Sequence, residues 1–214
     1  MATVVSPPER LVILDSVSWE TYERLLAEHG ERGGTRFTYD EGVLEIMVLS
    51  SRHEIPNRTL AALVEVLAEE WNLNIARLGS TTFKREDLQK GFEPGSCFYI
   101  QHAREIIGKE EIDLSEDPPP DLTIEVDITR ESLNRFPIFA AVGIPEVWRF
   151  DGTSVTFFHL ESGLYKESDH SLAFPALGYE IATEFLMQSK KLKSTVWLRE
   201  VRDWAREHKN SGQL

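Results

Sequence analysis

The segment SRHEIPNRTLAALVEVLAEEW, from Ser51 to Trp71, decides the fold. Its apolar residues recur at intervals of three and four positions, and this spacing predicts an amphipathic helix with one buried face. Ser51 and Glu54 match a capping box, although Pro56 favours a start a few residues later. The apolar stripe consists of Leu60, Leu63, Val64, Leu67 and Trp71.

Downstream of this helix, short strand-like runs surround one further helix. Three predicted strands, a helix and a fourth strand follow in that order. This order predicts an α/β fold, with an α+β mixed sheet flanked by helices. The segments are the strands Gly79–Arg85, Ser96–Ile100 and Leu122–Ile128, the helix Leu133–Val142 and the strand Glu146–Phe150.

Hairpins and helices flank this core on both sides. An N-terminal hairpin surrounds Asp40-Glu41-Gly42, and a C-terminal hairpin surrounds Asp151-Gly152. We expect a single domain over residues 18–208, with an N-terminal tail and lead-in over 1–17 and a C-terminal tail over 209–214. The flanking segments are the helix Ser18–Glu28, capped by Ser18, the strands Arg36–Tyr39, Val43–Val48 and Val155–Leu160, and the helices Ile181–Leu186 and Thr195–His208.

Composition limits the class of protein. The 214 residues contain no apolar run close to the roughly 20 residues that a membrane-spanning helix needs. Cys97 is the only cysteine, which excludes internal disulfides and Cys-rich zinc sites, and we expect a cytoplasmic protein. The net charge of −13 argues against tight nonspecific binding to nucleic acid, although Lys84, Arg85 and Lys90 form a local basic cluster.

Two carboxylates share one face of the strand Leu122–Ile128. Glu125 and Asp127 repel each other there, and Mg²⁺ or Mn²⁺ would relieve that repulsion; the alternative is a strand with one exposed polar face. Glu45 lies between apolar residues on its strand and is either a rim residue or a partner in a site. Glu93-Pro94-Gly95, taken alone, predicts a turn.

Several stretches, weak one by one, become specific when their spacing is combined. On these stretches the chain resembles a family of restriction endonucleases, a domain of unknown function within the PD-(D/E)XK nuclease superfamily. The resemblance extends from about Ser18 to Arg206. It is carried by Thr38-Tyr39-Asp40, Leu44-Glu45-Ile46-Met47, Asn57-Arg58-Thr59, Gly79 to Asp87, Gly91-Phe92-Glu93-Pro94, Cys97-Phe98-Tyr99-Ile100, Pro119-Pro120-Asp121-Leu122, Ile124 to Ile128 and Gly143 to Arg149.

The resemblance implies a restriction-endonuclease core, DNA as substrate and Mg²⁺ or Mn²⁺ as cofactor. Pro94 and Glu125 stand at the proline and at the second acidic position of the family signature. Gly95 stands where the family has an aspartate, and Asp127 where the wider superfamily has its lysine. Arg135 stands where the family takes a lysine from the following helix, and arginine is not equivalent to lysine as a base.

The same resemblance assigns roles around these positions. Glu125 is the implied main metal ligand, Asp127 or Glu45 is the second, and Glu93 approaches from the same strand face as position 95. A homodimer follows from resemblance to nucleases that cut both strands. The candidate catalytic residues are Glu125, Glu45, Lys84, Arg135 and Gly95, and the candidate metal ligands are Glu125, Asp127 and Glu93.

Two functions remain open at this point. One is a Mg²⁺-dependent endonuclease that hydrolyses DNA phosphodiester bonds and is impaired by Gly95. The other is a non-catalytic nuclease-fold module for binding or assembly. The first predicts that Gly95→Asp raises cleavage and that Glu125→Gln abolishes it.

Overall fold

The computed structural model describes residues 10–30, 34–79, 81–128 and 132–209. The tails expected at 1–9 and 210–214 lie outside these ranges, and the domain boundaries stay a prediction. The strands are β1 (Arg10–Leu14), β2 (Thr35–Asp40), β3 (Val43–Val48), β4 (Ala76–Leu78), β5 (Phe83–Arg85), β6 (Lys90–Phe92), β7 (Ser96–Tyr99), β8 (Leu122–Val126), β9 (Glu146–Phe150), β10 (Val155–Glu161) and β11 (Leu164–Ser168). The helices are α1 (Trp19–His29), α2 (Ser51–Trp71), α3 (Ala103–Ile106), α4 (Phe136–Val142), α5 (Tyr179–Ser189) and α6 (Ser194–His208).

The larger sheet has six strands in the order β11-β10-β9-β8-β7-β4. β4, β7 and β8 pair antiparallel, whereas β8 and β9 pair parallel because α4 crosses between them. The order of helix, three strands, helix and strand is present as α2, β4, β7, β8, α4 and β9, but β4 was not predicted. The strand predicted at Gly79–Arg85 corresponds to β5, which lies in a second sheet. The restriction-endonuclease-like mixed fold is confirmed.

A second sheet corrects the prediction of a single mixed sheet. It has five antiparallel strands in the order β1-β3-β2-β6-β5. Its central hairpin is the one predicted, with Glu41 and Gly42 both at positive φ between β2 and β3. The edge strand β1 was not predicted, and β5 and β6 were read as one strand and a polar connection. Gly91 in β6 lies so close to Tyr22 that an added Cβ would come within 2.2 Å of its hydroxyl oxygen.

The helix starts test the capping predictions. Ser18 is the N-cap of α1, as predicted, and its hydroxyl accepts a hydrogen bond from the backbone N–H of Thr21 at 3.2 Å. The capping box predicted for α2 is wrong, because the N-cap is Ser50 and its side chain makes no capping bond. The helix begins at Ser51 and includes Pro56, so the later start that Pro56 favours is not found.

The larger sheet is covered on both faces, and this decides which residues of β8 reach the site. Leu122, Ile124 and Val126 pack into a core with α2, α5 and α6. A second apolar core, which includes Phe92, fills the other face between α4 and the smaller sheet. Because strand side chains alternate, Glu125 points to that second face.

Among the helices in the described ranges, none combines the length and the apolar character that a membrane span requires.

Candidate functional site

A buried charge network lies between the two sheets and the start of α4. Arg135, the N-cap residue of α4, donates from Nη1 to Glu125 Oε2 at 2.7 Å and from Nη2 to Glu45 Oε1 at 2.8 Å. The side chains of Arg135, Glu125 and Glu45 are only 10%, 6% and 0% exposed. One guanidinium therefore bridges carboxylates from β3 and β8, away from solvent.

The remaining polar atoms of this network also have partners. Glu45 Oε2 accepts from the backbone N–H of Leu133 at 2.6 Å, and Glu125 Oε1 accepts from the backbone N–H of Gly95 at 3.2 Å. Arg135 Nε donates to the hydroxyl of Thr38, which faces Glu45 across the β2–β3 pair. All four carboxylate oxygens thus receive a hydrogen bond.

The electrostatics of Arg135 agree with this geometry. Burial lowers its pKa, but the charges of Glu125 and Glu45 and their hydrogen bonds outweigh burial, so that the pKa is raised overall. The guanidinium is a fixed positive charge whose position is set by two carboxylates. The network is neutralised largely from within the protein.

Gly95 is a glycine of close approach. A Cβ built at this position would lie 2.5 Å from the backbone oxygen of Ile124 and 2.8 Å from Asn57 Oδ1. Asn57 also donates from Nδ2 to the Gly95 carbonyl at 2.9 Å, which holds this strand end against α2. An aspartate at position 95 would require the Ile124 backbone and the Asn57 side chain to shift. This crowding argues against the gain of cleavage expected from Gly95→Asp.

Glu93 belongs to a different local arrangement. Its Oε1 accepts from the Thr82 hydroxyl at 2.7 Å and its Oε2 accepts from the backbone N–H of Phe37 at 3.1 Å. Burial raises the pKa of Glu93 despite these hydrogen bonds. Neither oxygen bonds to the Arg135 network, so the proposed approach of Glu93 to a shared metal is not seen.

Asp127 lies at the open side of the network. It is exposed, accepts a hydrogen bond from the Ser132 hydroxyl at 3.2 Å, and lines a cleft of about 580 Å³ together with Glu125, Arg135 and Asp151. Asp151 follows β9 as Asp127 follows β8, and the two strands end side by side. The cleft therefore has two exposed carboxylates, Asp127 and Asp151, at its opening, and the buried Glu125 is also part of its lining.

Lys84 is not part of this site. Its Nζ donates to Glu23 Oε1 at 3.0 Å, and both side chains are largely exposed. Lys84 lines another cleft, with Arg85 and Asp113. The structure brings Arg135 rather than Lys84 to the carboxylates.

Comparison with known proteins places the chain in a family. Residues 19–181 match the model of the Uma2 family, which is described as "Putative restriction endonuclease". The chain belongs to the Uma2 family. This confirms the resemblance drawn from the sequence and indicates a nuclease-type function for the family.

One solved structure is similar to this chain at low sequence identity. The Uma2 chain is similar to the crystal structure of a "putative nuclease belonging to DUF820" from Anabaena variabilis, at 14% sequence identity and a TM-score of 0.48. The match covers 70% of this chain and 90% of that one. No curated protein matches the chain.

The residues of this Uma2 site do not fit Mg²⁺ or Mn²⁺ as they stand. Such ions need carboxylate or carbonyl oxygens with free lone pairs directed at one point. Glu45 and Glu125 direct their oxygens at Arg135 and at backbone N–H groups instead. Across the described part of the chain, no group of three or more His, Cys, Asp or Glu side chains is arranged to hold a metal ion.

Sequence reasoning missed Arg36, Thr38 and Asn57 at this Uma2 site. Arg36 is buried, and its Nη2 lies 3.4 Å from both the Gly95 carbonyl oxygen and Glu54 Oε1. Burial lowers the pKa of Arg36 overall, and the neighbouring carboxylates, Glu125 first among them, offset only part of that effect. Thr38 and Asn57 lie in stretches that carry the family resemblance. Arg36 has strand alternation as its signal, which puts it on the same face of β2 as Thr38.

Proposed function

We propose that this protein is a nuclease-type member of the Uma2 family in which the Glu125 site no longer supports Mg²⁺-dependent cleavage. It acts as a nuclease-fold module for binding or assembly. A homodimer and DNA as ligand are part of this proposal, by analogy with the family. The observation that supports it is the bridge from Arg135 to both Glu45 and Glu125.

A catalytic metal at this site would need free carboxylate oxygens and free space. A catalytic Mg²⁺ requires open coordination positions for water and phosphate oxygens. Here Arg135 takes one oxygen of each buried glutamate, and Gly95 has no room for the aspartate found there in the family. Moving a buried arginine out would leave two unpaired carboxylates behind.

A second candidate function is residual metal-dependent hydrolysis of DNA. The cleft that contains Glu125, Asp127 and Asp151 favours it, because Asp127 is exposed and faces the opening. Arg149 lines the same cleft and pairs in register with Glu125. Arg149 lies over the ring of Phe158 at 4.7 Å, which holds its charge in place.

One experiment separates the two candidates. Supercoiled plasmid DNA is incubated with the full chain and Mg²⁺ or Mn²⁺, with Glu125→Gln as the matched variant, and Mn²⁺ binding is measured by calorimetry. We expect no cleavage above the level of the Glu125→Gln protein and no Mn²⁺ binding. Metal-dependent cleavage that the Glu125→Gln substitution removes would refute the proposal and establish the second candidate.

A further inference from the structure

A second cleft, separate from the one at Asp127, lies beside Gly95. Its volume is about 820 Å³, and it is bordered by β2 and by the first turns of α2. The residues that matter for its chemistry are Arg36, Ser50, Ser51, Glu54, Arg58 and Glu93.

Arg36 is the deepest charged group in this cleft. Its side chain is only 7% exposed, and its Nε is buried without a hydrogen-bond partner. Its contacts with Glu54 Oε1 and the Gly95 carbonyl, both at 3.4 Å, are at the long end for hydrogen bonds. A buried guanidinium N–H without an acceptor is unfavourable, so this side chain has capacity for a further acceptor.

The first turn of α2 adds a second feature. This helix has 21 residues, and its N-cap Ser50 makes no side-chain bond to the helix backbone. The Ser50 hydroxyl instead lies 3.3 Å from His53 Nδ1. The backbone N–H groups at a helix start carry a partial positive charge, and here they border the same cleft as Arg36.

Two arginines, Arg36 and Arg58, and two glutamates, Glu54 and Glu93, line the cleft. Glu54 lies between Arg36 and Arg58, at 3.4 Å from each, so two positive groups share one carboxylate. Arg58 is 77% exposed, so its surface pair with Glu54 is weak and a ligand can compete with it. The oxygens of Glu93 accept hydrogen bonds from the Thr82 hydroxyl and the Phe37 backbone N–H, so the partners of Glu93 differ from those of Glu54.

We propose that this cleft binds a phosphate group between Arg36, Arg58 and the first turn of α2. The ligand is either inorganic phosphate or the terminal phosphate of an oligonucleotide, since both present the same oxygen acceptors. Arginine suits this task because its planar guanidinium donates two parallel hydrogen bonds to a phosphate. The inference does not depend on whether the protein cleaves DNA.

The test titrates the full chain by calorimetry with three probes. These are inorganic phosphate, a short oligonucleotide with a 5′-phosphate, and the same oligonucleotide with a 5′-hydroxyl. We expect at least one phosphate probe to bind, and the 5′-hydroxyl oligonucleotide to bind at least tenfold more weakly than its phosphorylated form if that form binds. Binding of inorganic phosphate alone identifies a small ligand, whereas binding of the phosphorylated oligonucleotide identifies a nucleic-acid end.

Two arginines of α2 provide a matched pair of variants. Arg58→Ala removes a charge that lines the cleft, and we expect it to weaken binding about tenfold, the loss of one charge-assisted hydrogen bond. Arg52→Ala removes an exposed charge from the same helix outside the cleft, and binding should not change. Arg36→Gln should abolish binding, with circular dichroism to confirm folding; if that variant unfolds, the Arg58 and Arg52 pair decides.

Three results would overturn the inference. One is the absence of binding for both phosphate probes. Another is equal affinity for the two oligonucleotides without binding of inorganic phosphate. The third is an equal effect, or no effect, of the Arg58→Ala and Arg52→Ala substitutions.

Discussion

Removal of the bridging arginine gives the sharpest test of the buried network. Arg135→Met keeps much of the aliphatic part of the side chain but removes the guanidinium that bridges Glu45 and Glu125. Both carboxylates are nearly excluded from solvent, so water replaces the guanidinium poorly even though Glu125 borders the cleft beside Asp127. We therefore expect a large loss of stability rather than a small one.

The size of that loss can be worked out in two ways. Arg135 makes one charge-assisted hydrogen bond to each glutamate, at 2.7 and 2.8 Å. Such bonds contribute about 1.5–3 kcal/mol each, which gives a total of about 3–6 kcal/mol. Removal of one partner from a buried ion pair destabilises proteins by about 3–5 kcal/mol, in agreement with that total.

The assay is urea unfolding followed by the fluorescence of the five tryptophans. For a chain of this length, a loss of about 3–6 kcal/mol also corresponds to a fall of about 6–24 °C in the Tm of a thermal melt. Arg206→Met is the control, because Arg206 is exposed and its surface pair with Glu70 contributes little to stability.

A triple variant separates charge from packing. Arg135→Met combined with Glu45→Gln and Glu125→Gln removes all three charges at once, and most of the lost stability should return because no unpaired charge stays buried. A free energy of unfolding for Arg135→Met within about 1 kcal/mol of the unsubstituted protein would refute the reasoning. It would mean that solvent reaches the carboxylates and that the site is open enough for an ion.

Three further predictions concern single residues. Gly95→Ala places a methyl group 2.5 Å from the Ile124 carbonyl oxygen, so we expect a loss of about 1–3 kcal/mol in urea unfolding. Gly95→Asp should lose at least as much and gain no plasmid cleavage; unchanged stability of both variants would contradict the crowding. Interaction with Glu146 raises the pKa of His159, so its stabilising contribution is complete below about pH 6.5 and is lost as the pH rises through the raised value. His159→Gln should flatten that pH dependence of stability, and an unchanged profile would count against it. Burial raises the pKa of the Cys97 thiol, so iodoacetamide at pH 8 should label it only after unfolding, and rapid labelling of the native protein would contradict this.

The sequence predicts the larger part of the fold because its periodicities are strong. The apolar stripe from Leu60 to Trp71 specifies the second half of α2, although Pro56 left its start open. Asp40-Glu41-Gly42 predicts the central hairpin, where Glu41 and Gly42 adopt positive φ. The part of the smaller sheet beyond its central hairpin escapes prediction partly because β5 and β6 have only three residues each. Too few residues alternate in such strands to produce a pattern.

The site is harder to predict because its contacts join distant parts of the chain. Alternation places Glu45 on a definite strand face, but it does not say that Arg135 lies 2.8 Å away across 90 residues of sequence. Position 135 was identified only through the family resemblance. Arg36 had no signal beyond strand alternation, since its partners Glu54 and Gly95 are brought together by α2 and β7.

The two departures from the family signature explain each other physically. The family resemblance implies an aspartate as metal ligand at position 95, and in this chain the close approach of Gly95 to the Ile124 carbonyl oxygen leaves no space for that side chain. Without a metal, the buried carboxylates of Glu45 and Glu125 still need a positive charge nearby. Arg135 supplies one that is always protonated and can bond to both carboxylates at once, which lysine, as a single point charge, does less well. Under the proposed function, a site that must stay open for a metal is thus replaced by one that stabilises the junction of the two sheets.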